Sequence, residues 1–339
     1  MPPILIHDLA GIDFSKPGKH HYQLAFHLDG DWGYSLVPLT VINGLRGPAA
    51  RAVAVFGGTH GDEYEGQVVV KRLCLDLDPA DMSGRVILVP QLSETACRGH
   101  SRVSAADGVN MNRAFPGAPR GSLSYRIAHF VRGTIFPQVE VVIDIHSGGK
   151  EAIFGLCASF HHIPDPAQRA ENARVARLFD TPFVFLYASS MASGLLSDEA
   201  EALGKVTIGG EFGFGEAVSP TGARHAYEGT RNVLRHYGLL DGPIVKIDPA
   251  RPEPPRFVEA FDLEDYVPCP RDGVWEPVLP VGSDVRAKDL IGRLHDFDDH
   301  SAPPVEVRAH RDGTLIALHF GAAASKGRTL YVIARAARL

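Results

Sequence analysis

The sequence predicts an α/β fold: a mixed, mostly parallel sheet with helices on both faces, followed by a small C-terminal β-domain. Three observations predict it. Between about residues 52 and 240, short Val/Ile-rich segments alternate with longer stretches of helical apolar spacing, the pattern of a mostly parallel sheet. The side chains best suited to chemistry fall just behind those short segments, at the carboxyl ends of strands where ligands gather in such sheets. Finally, a proline-rich stretch at 248–255 interrupts the alternation, and only short strands and turns follow it.

At the N-terminal end, Tyr22–Leu28 and Tyr34–Ile42 are strand-like runs separated by the turn-forming Asp29-Gly30-Asp31, which predicts a hairpin. Val53–Phe56, Val86–Val89, Val141–Ile145 and Val206–Ile208 read as buried strands. Glu65–Leu75, Ser122–Phe136 and Pro166–Phe179 read as the helices between them. Proline lacks an N–H and fixes φ, so Asp248-Pro-Ala-Arg-Pro-Glu-Pro-Pro255 can neither extend a helix nor join a central strand. The boundary is placed there, giving a larger domain over 1–247 and a β-rich domain over 248–339. In the latter, Gly273–Leu279, Val281–Leu294, Val305–Arg308 and Gly313–Leu318 are the expected strands. Their Val-Gly-x-x-Val and Leu-Ile-Gly rhythm resembles the half-barrel of biotinyl and lipoyl carrier domains. A carrier needs an exposed lysine at a hairpin tip, and the expected hairpin here reads His310-Arg-Asp-Gly-Thr314. The domain is therefore read as structural, as a wall of the site or as an oligomer contact.

With 339 residues, 45% of them apolar, the chain can bury a large core, which argues against general disorder. A formal net charge of −6, with no long block of Lys or Arg, makes nucleic acid a poor partner. The N-terminus has no cationic segment ahead of a long apolar run. No stretch approaches the roughly 20 residues needed to span a bilayer, so no membrane role and a cytoplasmic location are expected. The four cysteines, Cys74, Cys97, Cys157 and Cys269, are far apart and form no C-x-x-C pair, which suits reduced core thiols.

His60-Gly61-Asp62-Glu63 puts an imidazole and a carboxylate three residues apart at the exit of the strand within Arg51–Gly57. A catalytic Zn²⁺ commonly takes two His and one Glu and leaves its fourth position to water, so a second histidine is expected at a comparable place. The run Glu140-Val-Val-Ile-Asp-Ile-His146-Ser-Gly-Gly149 supplies it. In a chain with 16 histidines, a lone His at a strand end is ordinarily a hydrogen-bonded structural residue. The joint pattern makes His60, Glu63 and His146 the expected ligands of one metal ion per subunit. Two imidazoles favour Zn²⁺ over magnesium or calcium, which want oxygens, and leave cobalt, manganese and iron as alternatives.

Glu211 closes a third strand within Lys205–Gly215 and has glycines on both sides. The alternative to a solvated loop carboxylate is a general base, because those glycines let substrate and metal come close. Asp144 shares the strand face of His146. It is either a buried, capped aspartate or the acceptor for the imidazole N–H that faces away from the metal. Arg98, Arg102, Asn112 and Arg113 form a basic and polar cluster ahead of Phe115-Pro-Gly117. Such residues are common in surface loops. In a site that attacks an amide, however, something must hold the carboxylate of an amino acid, and arginine does so bidentately, which favours Arg113.

Gly58-Thr-His-Gly-Asp-Glu-Tyr-Glu-Gly66, Asn110-Met-Asn-Arg-Ala-Phe-Pro-Gly117, Asp144-Ile-His-Ser147 and Gly210-Glu211, in this order and spacing, resemble the succinylglutamate desuccinylase/aspartoacylase family, relatives of the zinc carboxypeptidases. The resemblance covers roughly residues 40–240, and the small C-terminal β-domain is also typical of the family. It implies a zinc carboxypeptidase-like fold, His60, Glu63 and His146 as zinc ligands and Glu211 as general base. It further implies Asn112 and Arg113 as the clamp on a substrate α-carboxylate. Arg102, or in its place Arg98, would polarise the scissile carbonyl. Within the family, Asp31–Asn43 and the Asn-Met-Asn-Arg form resemble the N-acetyl-diaminobutanoate deacetylases of ectoine breakdown. The expected activity is zinc-dependent hydrolysis of a small N-acyl amino acid. The rival readings are a metallocarboxypeptidase for short peptides and a non-catalytic zinc-dependent binding protein.

Overall fold

The computed structural model describes residues 2–30, 32–188 and 193–337. The chain begins with β1 (Ile4–Ile6), β2 (Gly18–His27), β3 (Tyr34–Asn43), β4 (Val53–Gly57) and α1 (Tyr64–Asp76). It continues with β5 (Arg85–Val89), α2 (Glu94–Gly99), α3 (Leu123–Phe130), β6 (Val141–Ile145), β7 (Ala152–Phe154), β8 (Cys157–His161) and α4 (Pro166–Ala176). Then come β9 (Phe183–Tyr187), α5 (Leu196–Ala202), β10 (Val206–Glu211) and α6 (Pro220–His236). The remaining strands are β11 (Arg256–Ala260), β12 (Tyr266–Pro268), β13 (Gly273–Pro277), β14 (Asp284–Val285), β15 (Leu290–His295), β16 (Val305–Arg308), β17 (Gly313–His319), β18 (Ala323–Ala324) and β19 (Thr329–Ala336).

One large sheet runs in the order β1-β2-β3-β5-β4-β6-β10-β8-β9-β11-β19-β17-β14, with β12 and β7 attached at β19 and β17. Its centre is mixed but mostly parallel: β4 pairs in parallel with both β5 and β6, and β6 with β10. The strand β8 is antiparallel to β10 but parallel to β9. The predicted α/β sheet is therefore present. The β2–β3 hairpin is also present, in unbroken register from Gly18↔Asn43 to His27↔Tyr34. Asp31, the last residue of its predicted turn, lies outside the described residues.

Helices cover both faces because the central strands are apolar on both sides over most of their length, as strands buried on two sides must be. In β4, Val53 and Val55 point into a core shared with Val69, Val70 and Leu73 of α1 and with Ala226 and Val233 of α6. Ala54 and Phe56 point the other way, into a core built with Ile127 and Phe130 of α3 and Leu196 of α5. All four cysteines are buried and unpaired. Among the described residues no helix is long and apolar enough to cross a membrane.

The predicted helix Ser122–Phe136 is α-helical only over Leu123–Phe130 and ends in a wider turn, Val131–Ile135, and a tight turn, Phe136–Gln138. Pro137 has no N–H with which to continue the ladder. Beyond the proline-rich stretch, β11 pairs in parallel with β9 and antiparallel with β19, so the hydrogen-bonded ladder of the large sheet runs on past residue 255. A separate four-stranded antiparallel sheet, β16-β15-β13-β18, packs beside it around Trp275, Leu294 and Tyr331. His310–Thr314 is not a hairpin tip. It carries the chain from β16, in the small sheet, to β17, which pairs with β14, β19 and β7 in the large one.

Candidate active site

Three central strands, β4, β6 and β10, deliver the site. After β4 the chain turns at Gly58, whose φ of +63° is the left-handed conformation that favours glycine. His60-Gly61-Asp62-Glu63 then forms the link into α1. Gly66, in the first turn of α1, packs so close to the sheet that an added Cβ would lie 2.4 Å from the carbonyl oxygen of Ile145. This contact sets α1, and with it Glu63, directly against the end of β6, where His146 follows.

The Glu63 carboxylate is the centre of the arrangement. His60 Nδ1 lies 2.7 Å from Oε1, and His146 Nδ1 lies 2.8 Å from Oε2. Ser147 N donates to Oε2 at 3.2 Å and Arg102 Nη1 to Oε1 at 3.1 Å. Both imidazoles are held from behind through their other nitrogen. His60 Nε2 is 3.0 Å from Asn110 Oδ1, and His146 Nε2 is 2.7 Å from Asp144 Oδ2. Asp144 is itself fixed by Thr59, whose Oγ1 donates at 2.8 Å. Both Nδ1 atoms therefore turn toward one shared centre, and one ligand atom from each of His60, Glu63 and His146 lies within 4.8 Å of the others.

Electrostatics favour positive charge at this centre. Burial alone would raise the Glu63 carboxyl, yet the imidazoles of His60 and His146 pull it well below the usual carboxylate range. Burial likewise opposes charge on His146, but the carboxylates of Asp144 and Glu63 outweigh it and raise the imidazole well above its ordinary value. Two imidazole nitrogens and a carboxylate are the donor set that a borderline divalent ion takes.

Glu211 stands beside this centre. Burial first, and then the negative Glu63, push its carboxyl up to about 8. Its Oε2 is buried with no hydrogen-bond partner among the described residues. A carboxylate so raised titrates near neutral pH, where a general base is most useful.

Asn112 and Arg113 lie on a short turn, Met111–Arg113, whose first turn is capped by Asn110. Asn112 Oδ1 accepts from Leu196 N at 2.9 Å, and its Nδ2 points into the site, 3.4 Å from His146 Nε2. Arg113 donates to the backbone oxygen of Asn112 at 2.5 Å and has no ion pair among the described residues. Burial, and then the like charge of Arg102, lower its guanidinium pKa, so an anion brought here would be strongly favoured. Arg98 lies elsewhere: it pairs with Glu94 on α2, and its side chain is 76% exposed.

A cavity of about 290 Å³ joins His60, Glu63, Arg102, Asn112, Arg113, His146 and Glu211. Its remaining wall includes Phe154, Ser159, Phe185, Tyr187 and Tyr266, none of which sequence reasoning singled out. They come from β7, β8, β9 and β12, and Tyr266 lies beyond the proline-rich stretch. No strand was expected over Phe183–Tyr187, and no local signal marks which of its residues meets a cavity assembled from distant strands.

Residues 49–237 match the model of the succinylglutamate desuccinylase/aspartoacylase catalytic domain. The chain is 34% identical over 328 residues to the N-alpha-acetyl-L-2,4-diaminobutyric acid deacetylase of Halomonas elongata, covering 96% of this chain and 94% of that protein. Among solved structures, it resembles a succinylglutamate desuccinylase/aspartoacylase from Rhodobacter sphaeroides with a TM-score of 0.90 and 30% identity, covering 97% of this chain and 98% of the other. It also resembles the product-bound ectoine utilization protein EutE (DoeB) from Ruegeria pomeroyi, with a TM-score of 0.88 and 32% identity over 96% of this chain and 98% of the other.

Proposed function

Because the chain belongs to the succinylglutamate desuccinylase/aspartoacylase family and is an amide deacylase, we propose that it hydrolyses a small N-acyl amino acid with the help of Zn²⁺, N-α-acetyl-L-2,4-diaminobutyrate being the first candidate substrate. The observation that carries this reading is the convergence of His60 Nδ1, His146 Nδ1 and the Glu63 carboxylate beside the unpartnered Glu211 Oε2. The substrate assignment rests on the full-length likeness to the Halomonas elongata deacetylase.

His60, Glu63 and His146 would hold the ion, and Zn²⁺ bound there supplies a Lewis-acidic centre that polarises an amide carbonyl and makes water a stronger acid. Glu211 takes the proton of the attacking water and delivers it to the departing nitrogen, which leaves as the free amine while the acyl group leaves as a carboxylate. The reaction consumes one water and needs no other co-reactant. Arg102 donates to the carbonyl oxygen as it gains negative charge. Arg113 and the amide N–H groups of Asn112 clamp the α-carboxylate and so fix the amide in line with the water. Asp144 and Asn110 keep each imidazole in one tautomer and orientation.

The cavity of about 290 Å³ suits one N-acyl amino acid and is small for a peptide, which favours the deacylase over the carboxypeptidase alternative. The test is an amine-release assay of the Zn²⁺-loaded protein on N-α-acetyl-L-2,4-diaminobutyrate, N-acetylaspartate, N-succinylglutamate and a tripeptide. The expected result is fastest release from the first. Release from none of the four would overturn the reading, and equal rates on the tripeptide would favour a peptidase.

A further inference from the structure

A second cluster of ligating side chains lies outside the active-site cavity, where the end of β8 meets α5. His161 is the last residue of β8 and is 1% exposed. Its Nδ1 lies 2.8 Å from Glu201 Oε2 and 3.4 Å from Asp198 Oδ1. The two acids are three residues apart on α5, so they share one face of the helix. One ligand atom from each of the three residues lies within 4.8 Å of the others, as in the cluster of His60, Glu63 and His146.

With both carboxylates ionised, the charges of these three side chains do not balance among themselves. Even a protonated imidazole between two carboxylates leaves one negative charge over, and the Glu201 side chain is only 8% exposed. Asp198 Oδ1 is buried without a hydrogen-bond partner among the described residues, and so is His161 Nε2. Leaving a buried carboxylate oxygen without a hydrogen bond is costly. The other Glu201 oxygen is already committed: Thr207 Oγ1 donates to it at 2.7 Å and in turn accepts from Asn172 Nδ2 at 3.1 Å. That is how a supporting layer orients a ligating carboxylate. A cavity of about 240 Å³ lined by His161, Asp198 and Glu201 gives an ion a way in.

We propose that His161, Asp198 and Glu201 form a second metal site, which takes a divalent first-row transition ion. One imidazole and two carboxylates from two rigid elements match the nitrogen and oxygen preferences of Zn²⁺ or Mn²⁺, whereas Ca²⁺ and Mg²⁺ want oxygen ligands only. The ion would tie α5 to β8. Both elements also serve the active site: Leu196 N at the start of α5 holds Asn112 Oδ1, and the His161 ring packs edge-on against Tyr187 of the cavity wall, with centroids 4.2 Å apart. The second site would therefore brace the substrate pocket without entering it.

The experiment is metal analysis of protein equilibrated with Zn²⁺ and then desalted. Wild type is expected to carry two equivalents per chain, Glu201→Gln and His60→Ala one each, and the double variant none. Asp198→Asn, at a half-buried position, repeats the loss if Glu201→Gln does not fold. A metal content that Asp198→Asn and Glu201→Gln both leave unchanged overturns the proposal. Retention of one equivalent by His60→Ala, abolished by the further change Asp198→Asn, supports it whether or not the protein hydrolyses any amide.

Discussion

His146 and Glu211 form a parallel backbone bridge just past the end of β6, with His146 N donating to Gly210 O at 3.1 Å and Phe212 N donating to His146 O at 2.9 Å. Residues paired in this way present their side chains to the same face of a sheet. The proposed base is thus locked to a proposed metal ligand by main-chain bonds and keeps its place when its side chain is changed.

Replacement of Glu211 by Gln should therefore separate chemistry from structure. With the backbone bridge intact, the Glu211→Gln protein should keep its metal content while kcat falls by about 10²- to 10⁴-fold, the usual worth of a positioned general base. Parallel metal analysis and steady-state kinetics check this. A kcat within a few-fold of wild type would remove Glu211 from the role.

Loss of the central carboxylate should act differently. Glu63 is bonded by both imidazoles, Arg102 and Ser147 N, so Glu63→Gln should cost both metal and turnover. Dialysis of wild type against a chelator should likewise abolish amine release, and added Zn²⁺ should restore it. Restoration of the Glu63→Gln protein by the same addition would contradict the proposed ligand set.

Arg113 offers a test of substrate binding. Its guanidinium lines the cavity without a carboxylate partner among the described residues, and truncating one member of a charge pair that a bound substrate would bury typically costs about 2–5 kcal/mol. Arg113→Ala is expected to lower kcat/KM by about 10²-fold or more, mainly through KM, and Arg113→Lys should rescue little because a lysine cannot bond a carboxylate bidentately. The same kinetics on the α-carboxamide of the substrate provide the check. Wild type should reject the amide, and Arg113→Ala should discriminate far less.

Gly66 should be intolerant of a side chain. The Cβ of Gly66→Ala would lie 2.4 Å from Ile145 O and 3.0 Å from the Gly57 Cα, both backbone atoms that cannot swing aside. Overpacking of this kind costs about 1–3 kcal/mol, to be read as a lower urea midpoint. Unchanged stability would mean that α1 can lift off β4, contrary to the fold described.

Asp180 gives a pH-dependent prediction. Burial tends to raise its carboxyl, but hydrogen bonds from Asp248 N and Ile247 N, with Lys246 and Arg251 close by, hold it below the usual aspartate value. A carboxyl depressed on folding contributes stability that is fully present above its unfolded pKa of about 3.9 and is lost as pH falls through the lower folded value. Asp180→Asn should therefore destabilise the protein at pH 7 by about 1–3 kcal/mol, and the difference should shrink toward zero at pH values below the folded pKa. Urea midpoints at pH 7 and at about pH 2.5 test the sign. A difference that grows in acid would refute it.

Much of this molecule was legible because it is local. The β2–β3 hairpin, the buried strands β4, β5, β6 and β10, and the starts of α1 and α4 follow from apolar spacing and turn chemistry that act over a few residues. His60, Glu63, His146 and Glu211 could be picked out because each stands at or just beyond the end of such a strand, and a strand end is itself a local feature. The passage of His310–Thr314 between two sheets was not legible, since hairpin and crossover share the same turn residues and differ only in which distant strand accepts the hydrogen bonds.

By its own pattern the sequence determined the α/β class, the β2–β3 hairpin and the strands that carry His146 and Glu211 and precede His60 and Glu63, because residue type and spacing fix those locally. Tertiary structure alone decided that Arg102 rather than Arg98 faces Glu63, that Tyr187 and Tyr266 help wall the cavity, and that His161 meets Asp198 and Glu201. Each of these depends on how strands, helices and loops far apart in the chain pack together. That packing is set by the summed burial of the apolar cores rather than by any short segment.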